Sequence, residues 1–424
     1  MSYVDGPSPF HRKIVRFGFG MAGPMIMSGA NFVVSLLVAR FLPPNEFGVY
    51  AFVNVLLALG FSISNALFGS ILAVKLNERE ANLQLLEQVF FKTNLLFSGG
   101  MTLLVSIVVW FLDGSYLSTS CYAAFTLLSL LRWFVRSHGL ALQNVARVAI
   151  SDACYGVLVV IGCGVIFAAK SFSIPAVIIL LAVSNAASLA LSGQFYLRNV
   201  IRGSVREAIR EFKVIWRLYA RWSILGVITT DAASNAHAYI VTALMGPGAF
   251  APLALAGLLW RPTGLTMTSI THLERPVLAA SAVTQQVKKV LETLRHFRLL
   301  LVFIMVGNLL SIIVLYFIIS LPHTYDKDEV IAATALMMII CAVRAIRSPE
   351  STLLQATGAF KSMAIIDSVA AAVSLVAVLC MVKYMGAIGS LIGVIGGEAV
   401  ATILVLKLVV NWKRKNLISA SPVS

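Results

Sequence analysis

From residue 14 to residue 411 the chain is a near-continuous series of apolar stretches, each about as long as the roughly 20 residues a helix needs to cross a bilayer. Water is no solvent for such a pattern. With 59% hydrophobic and only 12% charged residues, the chain lies far from the soluble globular norm. Its mean hydropathy is +0.90. The segmentation predicts an all-α polytopic membrane protein with twelve spans. They fall at 14–41, 47–74, 86–111, 118–142, 147–169 and 173–197, then at 214–244, 248–280, 296–320, 328–355, 361–383 and 386–411.

The spans read as one unit written twice. Residues 38–52 (VARFLPPNEFGVYAF) answer residues 241–255 (VTALMGPGAFAPLAL), with Pro44 over Pro247 and Phe47 over Phe250. Further along, Arg132 falls over Arg344 and Gln143 over Gln355. The expected organisation is two six-helix bundles, 1–213 and 214–424. Repeated bundles with polar residues inside them are the usual build of membrane transporters.

The leading MSYVDGPSPFHRK lacks a charged-then-apolar signal with a cleavage site, so the first span is expected to be retained. Basic residues set the orientation. They crowd into alternate loops, among them Arg12, Lys13, Lys75, Arg79, Lys288, Lys289, Lys413 and Arg414, while the opposite loops hold Arg40, Lys170, Lys327 and Lys383. That asymmetry places both termini in the cytosol. The formal charge of +15 therefore meets anionic lipid headgroups, and no nucleic-acid partner is expected. Five cysteines, all in or beside apolar spans, read as packing residues.

Two connectors on the basic side have helical patterns. RNVIRGSVREAIREFK spaces Arg198, Arg202, Arg206 and Arg210 as one polar stripe, suited to a membrane surface or to a solvated linker. VTQQVKKVLETLRHFR places Val283, Val287, Leu291, Leu294 and Phe297 on one face and suits an interfacial position equally.

Several enzyme signatures fail on context. Gly18, Gly20 and Gly23 spell GxGxxG, but inside the first span and without the strand a dinucleotide site needs. They suit close helix contact instead. No segment offers a nucleotide-phosphate loop, and the scattered histidines mark no metal site, so neither cofactor nor metal is expected. Gly389, Gly393 and Gly397 form a small-residue row that lets helices approach closely.

Ionisable groups within a bilayer are costly and face a cavity or a partner. Span seven carries Asp231, Ser234, Asn235 and His237, and Arg261 on span eight reaches a similar depth. An Asp231 and Arg261 pair would either line a polar interior or simply join two helices. Spans four and ten supply Arg132 and Arg136, then Arg344 and Arg347. These suit a twofold-related anion site, or guanidinium groups reaching up to the headgroups. Asp152 and Asp367, each early in the following span, form another repeated pair and are candidate partners for those arginines.

The VARFLPPNEFGVYAF turn, the LALQNVARV and LLQATGAFK turns, and the layout of twelve spans resemble the polysaccharide-export flippases of the multidrug/oligosaccharidyl-lipid/polysaccharide (MOP) superfamily. The resemblance implies a V-shaped pair of six-helix bundles around a cavity opened alternately to each side. It implies a non-enzymatic flippase that moves undecaprenyl-pyrophosphate-linked saccharide across a bacterial inner membrane, beside a polysaccharide polymerase and chain-length machinery. Cationic cavity residues would meet the anionic headgroup; the matching candidate here is Arg261, followed by Arg132, Arg136, Arg344 and Arg347. The first-half cavity helices lack a mid-membrane arginine, a departure from the family pattern. A drug or metabolite exporter of the same superfamily is the nearest alternative. A membrane-bound polymerase or acyltransferase is the alternative from another class.

Overall fold

The computed structural model describes residues 9–69, 71–72, 83–201, 204–283, 287–318 and 325–420. All regular structure among them is helical. The first half holds α1 (Pro9–Phe41), α2 (Pro44–Ser64), α3 (Leu83–Asp113), α4 (Tyr116–Ala141), α5 (Val145–Ala168) and α6 (Ile174–Ile201). A short helix, α7 (Val205–Ile215), leads into α8 (Arg221–Met245), α9 (Pro247–Val283), α10 (Val287–Ile318), α11 (Lys327–Ala356) and α12 (Phe360–Ala420). Single π-turns extend α2 over Asn65–Gly69 and precede α8 over Trp216–Ala220.

Each expected span has its helix, and the last two lie within α12. That helix breaks at Gly386, where φ is 62° and ψ is −151°. Only glycine adopts this combination without strain. Seven helices among the described residues are long and apolar enough to cross a membrane by that measure alone. Helices α4, α8 and α9 fall outside this set. Those three helices carry Arg132, Arg136, Asp231 and Arg261, so the lost hydropathy reflects polar residues and not a missing span. The chain is a multi-pass membrane protein.

The helices group into two compact units. One comprises Met1–Leu42 and Val49–Val227, the other Pro43–Gly48 and Ile228–Ser424. In the first, α1 packs on α5, and α4 packs on α3 and α6. Gly23 of α1 meets α5 so closely that a Cβ there would lie 3.0 Å from the Asp152 carboxylate, which gives the GxGxxG glycine a packing role. Phe68, Phe90, Phe91 and Phe134 form the core near the α2 terminus, with Phe91 and Phe134 edge to face at 4.9 Å. Phe212 and Ile215 of α7 close over this cluster while Arg206, Arg210 and Lys213 remain exposed. The arginine stripe expected over 198–210 is thus divided: Arg198 lies in the last turn of α6, which ends at Ile201, Arg202 lies outside the described residues, and α7 starts afresh after Ser204, whose backbone is extended (φ −89°, ψ 137°).

In the second unit α9 packs on α10 and α11, and α11 packs on α12. The reversal at Gly386 folds α12 into a hairpin. Gly393 then faces the backbone of Ala377 and Val378, and Gly397 faces Ala370 and Ser374. Side chains there would hold the two arms apart, so the glycine row does the work expected of it. The connector through Val287 differs from expectation. It is continuous with span nine in the single helix α10, and its buried face is Val290, Leu294, Phe297 and Leu301, with Leu291 exposed. A helix with no break keeps one face inward throughout, which shifts the stripe.

The repeated turn also has a physical basis. Pro44 and Pro247 each start a helix, where the missing N–H costs nothing and the fixed φ favours helical entry. Phe47 and Phe250 are both buried. Within the second unit Gly48 lies against the Pro247 carbonyl, leaving no room for a Cβ.

Two helix-ending turns set the register between the repeats. After α4, Asn144 N–H donates to Gly139 O and Gln143 N–H to Leu140 O, each at 2.9 Å, with Gln143 at φ 59°. After α11, Ala359 N–H donates to Leu354 O at 2.9 Å and Gly358 N–H to Gln355 O at 3.1 Å, with Gly358 at φ 81°. Both are Schellman endings. Gln143 therefore matches Gly358, not Gln355. Counted back from these turns, Arg132 stands where Arg347 does, and Asp152 stands where Asp367 does.

Candidate functional site

The first-unit cluster is built on three helices. Arg132 Nη2 donates to Asp152 Oδ1 at 2.7 Å, and Arg132 Nε donates to Ser188 Oγ at 2.7 Å. Its guanidinium carbon lies 4.2 Å from the centroid of the Tyr155 ring, a cation–π contact. Arg136 Nε donates to the other Asp152 oxygen at 2.9 Å. Asp152 is 1% exposed, so a single desolvated carboxylate joins both guanidinium groups. The expected partnership of Asp152 with these arginines is observed.

The second unit solves the same problem with a different acid. Arg344 Nε donates to Glu398 Oε1 at 2.7 Å, and Arg347 Nη2 lies 2.9 Å from Glu398 Oε2. Glu398 comes from the returning arm of α12. Asp367, the counterpart of Asp152, is half-buried within electrostatic reach of Arg347 and Glu398 but bridges neither arginine. Across the same bundle Arg298 pairs with buried Glu350, and Arg275 Nη2 donates to Gln355 Oε1 at 2.5 Å.

Asp231 and Arg261 form no ion pair with each other. Instead Asn235 Nδ2 donates to Asp231 Oδ1 at 2.8 Å and the Tyr239 hydroxyl donates to Asp231 Oδ2 at 2.5 Å. Positions 231, 235 and 239 lie four apart on one helical face, so the carboxylate is satisfied by its own helix. Tyr239 escaped sequence reasoning, although that spacing was the available signal. His237, two residues from this face, is buried with its ring 6.2 Å from that of Phe250.

Arg261 is exposed on α9, and Thr266, Thr268 and Ser269 are exposed one to two turns beyond it. Each of these three hydroxyls donates to the carbonyl four residues earlier, at 2.8 to 3.0 Å. Such back-bonded hydroxyls tolerate lipid, but a guanidinium in the middle of a span demands water or an anion. Structure thus sorts the candidates. Arg132, Arg136, Arg344 and Arg347 are held by carboxylates, Asp231 and Asn235 by each other, and Arg261 is exposed with no ion pair among the described residues.

No protein-family model matches the chain, and no curated protein does. Solved structures do. An inward-facing multidrug-resistance MATE family transporter of the MOP superfamily matches with a TM-score of 0.69 at 14% identity, covering 96% of this chain and 99% of its own. The lipid II flippase MurJ in its inward closed conformation matches at 0.66 and 12% identity, over 92% and 87%. The eukaryotic MATE transporter AtDTX14 matches at 0.63 and 15%, over 98% and 100%. The chain has the fold of MOP-superfamily transporters. Among these neighbours the fold is shared by a multidrug-resistance MATE family transporter and a lipid II flippase.

Proposed function

We propose that the protein is a flippase that moves a lipid-linked oligosaccharide, an undecaprenyl-pyrophosphate-linked repeat unit, across a bacterial inner membrane by alternating access. Both termini face the cytosol in this reading. The observation that carries it is Arg261, an exposed guanidinium within a span, on a helix whose neighbouring turns present hydroxyls. A pyrophosphate is the anion such a group suits, because a planar guanidinium matches phosphate oxygens in a bidentate fork. The hydroxyl face of α9 would follow the sugars, while the polyprenyl tail stays in lipid. Asp231, with Asn235 and Tyr239, and His237 are the groups available on α8 for ion coupling.

The buried arginine clusters take a supporting part: they hold the ends of each bundle rigid while the α8 and α9 face meets the substrate. An exporter of organic cations would place an unpaired carboxylate where Arg261 stands. The test is translocation of a fluorescent polyprenyl-pyrophosphate oligosaccharide in proteoliposomes. Wild-type protein should move label to the opposite leaflet, and Arg261→Ala should abolish movement at equal reconstitution. Movement of a cationic dye with no movement of the lipid-linked sugar would transfer the protein to the exporter reading.

A further inference from the structure

We propose that the first unit carries a separate phosphate-binding pocket, at the junction where α4 ends and α5 begins, that takes the headgroup of an anionic phospholipid. The pocket has a volume of about 140 Å³ and is lined by Arg132, Arg136, Asn144, Arg147, Ser151 and Ser188, with Leu142, Val148 and Leu189 among its apolar walls. One water needs about 10–15 Å³ on this measure, so a phosphate with its four oxygens fits.

Charge makes the pocket selective. Three arginines converge on it, and the carboxylate behind them, Asp152, is already shared between Arg132 and Arg136. The other acid near the wall, Glu87, bonds His138 at 3.1 Å. Arg136 gives its Nε to Asp152 and lies over the Trp133 ring at 5.4 Å, and its outer nitrogens have no further acceptor among the described residues. Arg147 reaches nothing stronger than the Leu191 carbonyl at 3.4 Å.

Depth selects the source of the phosphate. The turn at Leu142 and Asn144 joins the ends of two spans, α4 and α5, so the pocket beside it sits at the edge of the hydrocarbon band, level with headgroups. Basic pockets between membrane helices at this level suit anionic lipids, and the leucine and valine walls suit the start of an acyl chain. The inference stands apart from the flippase reading, since no residue of α8 or α9 lines the pocket.

The test uses the full chain in nanodiscs of phosphatidylcholine with and without phosphatidylglycerol, with lipid retention read by native mass spectrometry. Wild type should retain phosphatidylglycerol preferentially. Arg147→Gln should weaken that retention about tenfold, the loss of one charge-assisted contact, with an unchanged unfolding midpoint in phosphatidylcholine alone. Lys361→Gln, at an exposed base in the second unit, should leave retention unchanged. If inorganic phosphate protects wild type but not Arg147→Gln, and phosphatidylglycerol does not, the pocket takes free phosphate and the lipid assignment fails. Equal retention by wild type, Arg147→Gln and Lys361→Gln overturns the site altogether.

Discussion

Arg344 Nε lies 2.7 Å from Glu398 Oε1, so the second-repeat arginines are neutralised by the last arm of the chain and not by the acid that corresponds to Asp152. In the first repeat the sixth span offers Ser188 to Arg132 Nε, also at 2.7 Å. The last span of each repeat thus reaches the arginines, through a serine in the first and a glutamate in the second. The acid that would be redundant, Asp367, is kept nearby.

Glu398→Gln should cost far more than Asp367→Asn. Removing one partner of a desolvated ion pair strands the other charges, at about 3–5 kcal/mol in buried settings. Glu398 is 4% exposed, whereas Asp367 is half-buried and makes no ion pair among the described residues. Unfolding of the two variants in detergent, followed by intrinsic fluorescence, checks the order; equal midpoints would contradict the assignment.

Asp152→Asn strands two arginines at once, because both oxygens of Asp152 accept from guanidinium groups. The expected loss is at least about 3 kcal/mol. Substituting Arg132 by Met together with Asp152→Asn should recover part of it, since the buried charge then disappears with its partner. A double-mutant cycle on unfolding free energy measures that coupling.

The α12 hairpin supplies a matched pair of glycines. Gly393→Ala drives a Cβ into the backbone at Val378 and should cost about 1–3 kcal/mol. Gly396→Ala, with nothing within 4 Å of the new methyl, should be neutral or slightly stabilising. Thermal midpoints of the two variants give the comparison.

The two Schellman turns make opposite predictions. Gln143 holds φ 59° with a side chain that disfavours it, so Gln143→Gly should stabilise by up to about 1 kcal/mol. Gly358→Gln, at φ 81°, should destabilise by a similar amount. Both changes are read from denaturant midpoints with an unchanged slope.

What the sequence makes legible follows from the range of the interactions. Helix-length apolar runs are local, and each of the twelve corresponds to a helix or to an arm of α12. The Arg132, Arg136 and Asp152 cluster spans one tight turn, so charge pairing across it was readable. Glu398 was not readable as the partner of Arg344, because that contact depends on how far the chain travels before Gly386 turns it back. The register of the repeats was misread for a related reason: Gln143 and Gln355 are alike in side chain, whereas backbone conformation makes Gln143 the equivalent of Gly358. Asp231 misled through depth, since helical rise places Arg261 level with it but leaves the rotation of each helix undetermined.

The central claim is that α8 and α9 present Asp231 and Arg261 to water that reaches them from each side in turn. In a background freed of the five native cysteines, Asp231→Cys and Arg261→Cys should react with a membrane-impermeant thiol reagent added from either face, and saturating lipid-linked saccharide should slow labelling of Thr268→Cys, which is exposed on α9 and leaves Arg261 in place. Both positions unreactive from both faces, in protein that retains its fold, would contradict the account.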